Sequence, residues 1–214
     1  MRRTRRLLTH SISIFSTAAV LTAAAILYPG SARAGEVKVA VAANFTQAAK
    51  DIAALFERET GHKAVLSFGS TGQIYTQIAK GAPFEVFLAA DRARPRKAGA
   101  DGLGIEQTRF TYATGKIVLY SRNPDLIEGP STLKKSGFSK IAIANPVTAP
   151  YGAAAIEAME KLGAYAALKD KIVQGNNIAQ THQFVQSGNA EVGFVALSQV
   201  APHQDGSRWP VPQT

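Results

Sequence analysis

A chain of 214 residues with 46% apolar content can bury a sizeable core, and the absence of cysteine excludes disulfide staples and thiolate chemistry. Its formal charge of +9 suggests a nucleic-acid partner, but Arg2, Arg3, Arg5, Arg6 and Arg33 supply five of those charges within a first segment that contains no acid. The rest of the chain holds 19 basic and 15 acidic residues, an ordinary balance that argues against nucleic-acid binding.

The first 34 residues have their own logic. "MRRTRRLL" is a basic start, Ile12 to Leu27 is mostly apolar, and Ala32-Arg33-Ala34 precedes Gly35. A basic region, a short apolar stretch and an A-x-A site together predict a secretory signal peptide over 1–34, cleaved near Ala34-Gly35, and a periplasmic mature protein. The apolar run of 16 residues is broken by Ser13, Ser16, Thr17 and Thr22. It falls short of the roughly 20 residues that a membrane span needs.

"VKVAVAA" (Val37 to Ala43) predicts a buried strand, and Phe45 to Thr60 a helix whose inward face is Ala48, Ala49, Ile52, Leu55 and Phe56. Gly61 ends that helix and "KAVLSF" is the next strand. A helix over about Thr71 to Lys80 turns Ile74, Ile78 and Ala79 inward, and "EVFLAA" is a third strand. This alternation predicts an α/β protein with mostly parallel, helix-covered sheets. A second series follows: strands "KIVLYS" and "KIAIAN", a helix from Gly152 to Leu162, a turn or two over Ala164 to Leu168, a helix from Ile178 to Ser187 and the strand "EVGFVAL". The reading is of two lobes, 35–113 and 114–200, joined near Tyr112 to Lys116. Residues 201–214 are extended and proline-rich; they are expected to begin a return to the first lobe, with the remainder of that return missing.

"FGSTGQI" (Phe68 to Ile74) is the segment most suggestive of function. It leaves a strand, is small and hydroxyl-rich, and opens a helix, as an anion cradle of backbone N–H groups does. Gln73 stands where a phosphate loop would carry lysine. Three more strand ends lead into helix starts: Asn44 in "AANF", Tyr151-Gly152 in "NPVTAPYGAAA", and Asn176-Asn177-Ile178 in "QGNNIAQ". Taken singly, an Asn or Ser at such a place is a helix cap stabilising its helix by about 1 kcal/mol. Four of them at the carboxyl ends of strands, where parallel sheets bind ligands, suggest one converging site. None of the four loops contains Asp, Glu, Lys or Arg. A protonated phosphate needs a carboxylate acceptor, so an all-neutral site favours a fully ionised tetrahedral anion.

Catalytic arrangements are poorly supported. His62, His182 and His203 are scattered without metal-ligand spacing, and Ser70 lacks the G-x-S-x-G elbow. Glu57, Glu59, Glu157 and Glu160 fall on solvated helix faces. Asp91 is expected to cap a helix, and "RARPRK" (Arg92 to Lys97) to be solvent-exposed.

"VAVAANF", "FGSTGQIYTQIAKGAPFEVFLAAD", "NPVTAPYG" and "VGFVAL" resemble the periplasmic molybdate-binding proteins of ABC transporters, over nearly all of residues 35–210. The resemblance implies a two-lobed type II periplasmic binding fold that closes over molybdate or tungstate. It further implies no cofactor, no enzyme activity, a membrane permease as partner and a monomer. Carried over by motif, the oxyanion contacts are Ala43 and Asn44, Ser70 and Thr71 from the first lobe, and Tyr151 and Ile178 from the second. These meet the anion's oxygens rather than the metal itself. Some members add a tyrosine hydroxyl where this sequence has Ala196. The alternatives are a sulfate or other tetrahedral oxyanion-binding protein of the same fold, and an enzyme on the same two-lobed fold.

Overall fold

Each parallel strand is followed by a helix that starts beyond its carboxyl end, and two sheets organise these units. The computed structural model describes residues 34–135, 137–202 and 205–212. The expected leader, apart from Ala34, and His203 lie outside the described residues.

The first sheet is wholly parallel, in the order β2-β1-β3: β1 (Glu36–Ala42), β2 (Lys63–Gly69) and β3 (Val86–Leu88), with Val39 opposite both Leu66 and Val86. A 3-10 turn, Ala43–Phe45, leads from β1 into α1 (Thr46–Thr60). Gly61 ends α1 at φ 72°, where its N–H reaches Glu57 O at 2.8 Å, the left-handed cap that glycine adopts without strain. α2 (Thr71–Ala79) and α3 (Ala93–Ala100) follow β2 and β3.

The second sheet has the order β6-β5-β7-β4-β8 and is mixed. β5 (Ile141–Ala144) runs parallel to β6 (Ile172–Gly175) and β7 (Val192–Ala196), whereas β4 (Ile117–Ser121) is antiparallel to β7 and to β8 (Ser207–Pro210). Its helices are α4 (Pro150–Lys161), α5 (Tyr165–Leu168), α6 (Ile178–Gln186) and α7 (Leu197–Val200). Leu119, Leu133, Ile141, Ile143, Met159 and Phe194 form the larger core; Val39, Val41 and Ala49 form a smaller one under the first sheet.

Where residues 201–214 are described, β8 is the edge strand of the second sheet. It runs back toward the connecting segment, so that Pro210 lies opposite Val118, and Ser207 Oγ accepts from Ile127 N and donates to Asn123 O. β6 is a strand that hydrophobic periodicity did not reveal, because only Ile172 and Val173 of its four residues are apolar. The "RARPRK" run, within and just before α3, is exposed at Arg92, Ala93, Arg96 and Lys97 as expected, while Arg94 is only partly exposed. The predicted inward face of α1 is buried at Ala49 alone, while Ile52 is 55% exposed and Leu55 and Phe56 are exposed too. The reason is local: among the described residues the first sheet has three strands and no layer over that side of α1.

This contrast is measurable by urea denaturation. Leu119→Ala, in the closed core, is expected to cost about 2–5 kcal/mol. Ile52→Ala is expected to stay within about 0.5 kcal/mol, as exposed positions do. Comparable costs at the two positions would show that the α1 face is covered in solution.

Candidate functional site

Five chain segments meet beyond the carboxyl ends of β1, β2, β3 and β5 and at the start of α6. They line a small, partly open cavity of about 10 Å³, walled by Ala42, Ala43, Asn44, Gly69, Ser70, Thr71, Ala90, Ala149, Pro150, Tyr151 and Ile178. All six residues expected to hold an oxyanion are thus brought together. No lining residue carries a formal charge at neutral pH. A larger open groove of about 720 Å³ shares Ala43 and Asn44 and runs past Gln47, Asp51, Gln180 and Gln199. It is less suited to enclosing an ion, and the first-turn N–H groups of Ala179 and Gln180 along it already have acceptors.

The cap explanation can now be judged residue by residue. It holds for Asn177, whose Oδ1 accepts from Ala179 N and Gln180 N, both at 3.0 Å. It fails for Ser70: the residue precedes α2, yet its side chain makes no capping bond, and Oγ is buried with no partner. It also fails for Asn44, which sits inside the 3-10 turn rather than at the start of α1, and whose Oδ1 is likewise buried and unpartnered. Buried polar atoms normally find partners; of these two only the Ser70 hydroxyl can donate to a polar guest, whereas Asn44 offers a donor only through Nδ2.

Each first turn supplies backbone donors, because the first N–H groups of a helix have no intrahelical acceptor. In α2 one of them is used elsewhere, Gly72 N reaching Thr148 O at 2.8 Å. In α6 the Asn177 cap occupies the second and third, and in α4 Pro150 has none to offer. The N–H groups of Thr71, Tyr151 and Ile178 are then the first-turn donors at the cavity wall. Thr71 Oγ1 accepts from Ala90 N at 3.0 Å, which leaves its hydroxyl proton free to be donated. α4 can stand so close because residue 152 is glycine: a Cβ there would lie 2.1 Å from Ala144 O. Ala43, Ala144, Ala149, Ile178 and Ala196 form one buried cluster at the site, the small alanines letting the two halves approach. Ala196 is buried in this cluster and has no hydroxyl to contribute.

Tyr151 is the lining group that titrates. Burial pushes its phenol up to about 12, the hydrogen bond from the Asn44 amide pulls the other way, and Tyr112 nearby adds a smaller upward push. At neutral pH it is an uncharged hydroxyl. His62 accepts from Gly35 N at the surface, and His182 packs beside Tyr120, away from the cavity lining. Asp91 accepts from Arg94 N at 2.8 Å, as a capping residue does. Among the described residues no cluster of His, Asp and Glu suited to a metal ion is present. What the sequence reading missed is Arg94, whose spacing within a basic run gave no sign that it reaches Val147 O at 3.0 Å across the cleft.

Residues 37–214 match the family described as bacterial extracellular solute-binding protein. The chain belongs to that family. This solute-binding protein is 53% identical over 182 residues to the molybdate-binding protein ModA of Rhodobacter capsulatus, an alignment covering 85% of this chain and 72% of the relative. It is 55% identical over 188 residues to ModA of Azotobacter vinelandii, covering 85% and 74%. Among solved structures, the periplasmic molybdate-binding protein of Azotobacter vinelandii superposes with a TM-score of 0.80 at 41% identity, over 82% of this chain and 79% of that one. The sulfate-binding protein SubI of Mycobacterium tuberculosis, at 12% identity, TM-score 0.66 and coverage of 84% and 72%, shares the fold alone. The solute-binding protein therefore has the two-lobed α/β type II binding fold and is not an enzyme.

The Tyr151 environment has a consequence for stability. The folded phenol ionises above the ordinary value of 10.0, so the unfolded chain loses its proton first. The stabilisation is complete below pH 10 and is lost as the pH rises toward about 12. Urea unfolding at pH 9 and pH 11 is expected to show a decline that is smaller by about 1 kcal/mol in Tyr151→Phe. Burial raises Tyr112 in the same direction, so part of the decline remains in that variant.

Proposed function

We propose that this solute-binding protein captures molybdate or tungstate outside the cytoplasmic membrane and delivers it, as a monomer, to the permease of an ABC importer. The observation that carries the reading is the all-neutral cavity at which the hydroxyls of Ser70 and Thr71 meet first-turn N–H groups from both sheets. Such a wall offers donors to a dianion. It holds no carboxylate to accept a proton from hydrogen phosphate, and no cation whose desolvation would have to be offset each time the ion leaves. Molybdate and tungstate share charge and shape, so the same donors serve both. Further support is that the relatives matched at 53% and 55% identity are named molybdate-binding proteins. Export is supported by the basic and apolar pattern of residues 1–34.

In this reading Ala43, Asn44, Ser70 and Thr71 meet the anion from a first lobe over 35–113. Tyr151 and Ile178 meet it from a second lobe over 114–200. The segment Tyr112 to Lys116 is the hinge. The Asn44 amide takes the orientation opposite to the one described above, a turn that leaves its shape unchanged. The Tyr151 O–H then donates to Oδ1, and Nδ2 turns to the anion. That pairing satisfies the atom otherwise left buried without a partner.

Isothermal titration with molybdate, tungstate and sulfate tests the proposal. Saturable one-to-one binding of the first two with sulfate silent is expected, at an affinity level from pH 6 to 9 because no lining group titrates there. Strong sulfate binding, or no response to any of the three by a folded protein, would overturn it. Ser70→Ala is expected to weaken molybdate about tenfold while changing stability by less than about 0.5 kcal/mol, since that hydroxyl has no partner within the fold.

A further inference from the structure

The two sheets are bridged by contacts that do not involve the cavity walls. Gly72 N donates to Thr148 O at 2.8 Å, and Arg94 Nη2 donates to the neighbouring Val147 O at 3.0 Å. Both acceptors sit on the turn between β5 and α4, which Asn145 makes rigid: its Oδ1 accepts from Val147 N at 2.9 Å and its carbonyl from Ala149 N at 2.8 Å. The same turn runs directly into Ala149, Pro150 and Tyr151 of the cavity wall.

Arg94 is preorganised for this contact. Asp91 Oδ2 holds Nη1 at 2.7 Å, and the pair is largely shielded from solvent, with side-chain exposures of 29% and 17%. One edge of the planar guanidinium is thereby fixed, and the other is presented to the Val147 carbonyl. Gly72 serves by what it lacks. A Cβ at that position would stand 2.9 Å from Thr148 O and 3.0 Å from Thr148 Cα, both backbone atoms of the facing turn. Any side chain would hold the two halves apart.

We propose that Gly72 and Arg94 are positioning residues that latch the second-lobe turn onto the first turns of α2 and α3, and so set how long a bound oxyanion is retained without touching it. The latch rests on the reading that the cavity is the anion site, and it deepens that reading by assigning retention to residues outside the cavity. Its geometry couples the two events. α2 presents Thr71 to the cavity and Gly72 to the latch, so the helix cannot dock on one without the other.

The full chain lacks cysteine, so one pair of engineered cysteines can carry spin labels specifically. Exposed Lys80 after α2 and Lys169 after α5 are suitable positions. Distances between labels report the closed fraction of the labelled wild type, Gly72→Ala and Arg94→Gln, with and without molybdate, and stopped-flow release reports retention. The expected result is a smaller closed fraction in both variants and molybdate release about tenfold faster, with the association rate unchanged. Alanine favours helix more than glycine does, so the ligand-free melting temperature of Gly72→Ala is expected to stay level or rise, which separates the effect from misfolding. Closed fractions equal to the wild type in both variants would overturn the latch, whether or not molybdate binds. A reduced closed fraction in variants of a protein that ignores molybdate would uphold the latch and sink the anion assignment instead.

Discussion

A parallel strand can be followed by a helix only on one side of its end, and that restriction places the candidate site. β1, β2, β5 and β6 all point their carboxyl ends the same way within their sheets, so the turns after them bring the first turns of their helices to one cavity. The donors there are backbone N–H groups and hydroxyls fixed by the fold. They do not move to meet a charge, and they need no side-chain ion to be desolvated. Everything else at the site serves to bring these helix starts close. Gly152 lets α4 sit on the end of β5, small alanines let the two halves approach, and Asn177 satisfies the α6 donors that lie away from the cavity.

Charge is kept to the seam. Arg94 and Asp91 lie beside the cavity without lining it, and their mutual bond leaves the guanidinium one free edge with which to hold the opposite turn. Ser198 Oγ adds a third bridge, donating to Asn44 O at 2.7 Å. In the proposed reading, neutral donors at the guest and a fixed ion pair at the rim divide recognition from closure. An ion pair within the cavity would have merged them.

Much of the scaffold was legible because its signals are local. The alternating valines of β1, the Gly61 stop and the spacing of Ile74 and Ile78 in α2 each depend on a few neighbouring residues. β6 was not legible, since four residues with two apolar side chains carry little periodicity. Neither was the direction of β4, because an apolar run is the same read either way until its partners are known. The α1 face misled for a related reason: periodicity shows that a stripe is apolar, and whether another layer covers it is a property of the assembled chain.

The sequence by itself determined most of the element types, the helix starts at Thr71, Tyr151 and Ile178, and the absence of charge in the loops before them, because backbone conformation and composition are written residue by residue. Only the tertiary structure separated caps from site residues. Asn177 and Ser70 look alike as small polar residues before a helix, and whether each oxygen meets its own helix or faces the cavity depends on where the opposite half of the protein lies. Arg94 shows the same limit most plainly. Its partner turn lies 53 residues away in the chain, and contacts at that separation are set by the packing of two sheets rather than by any local pattern.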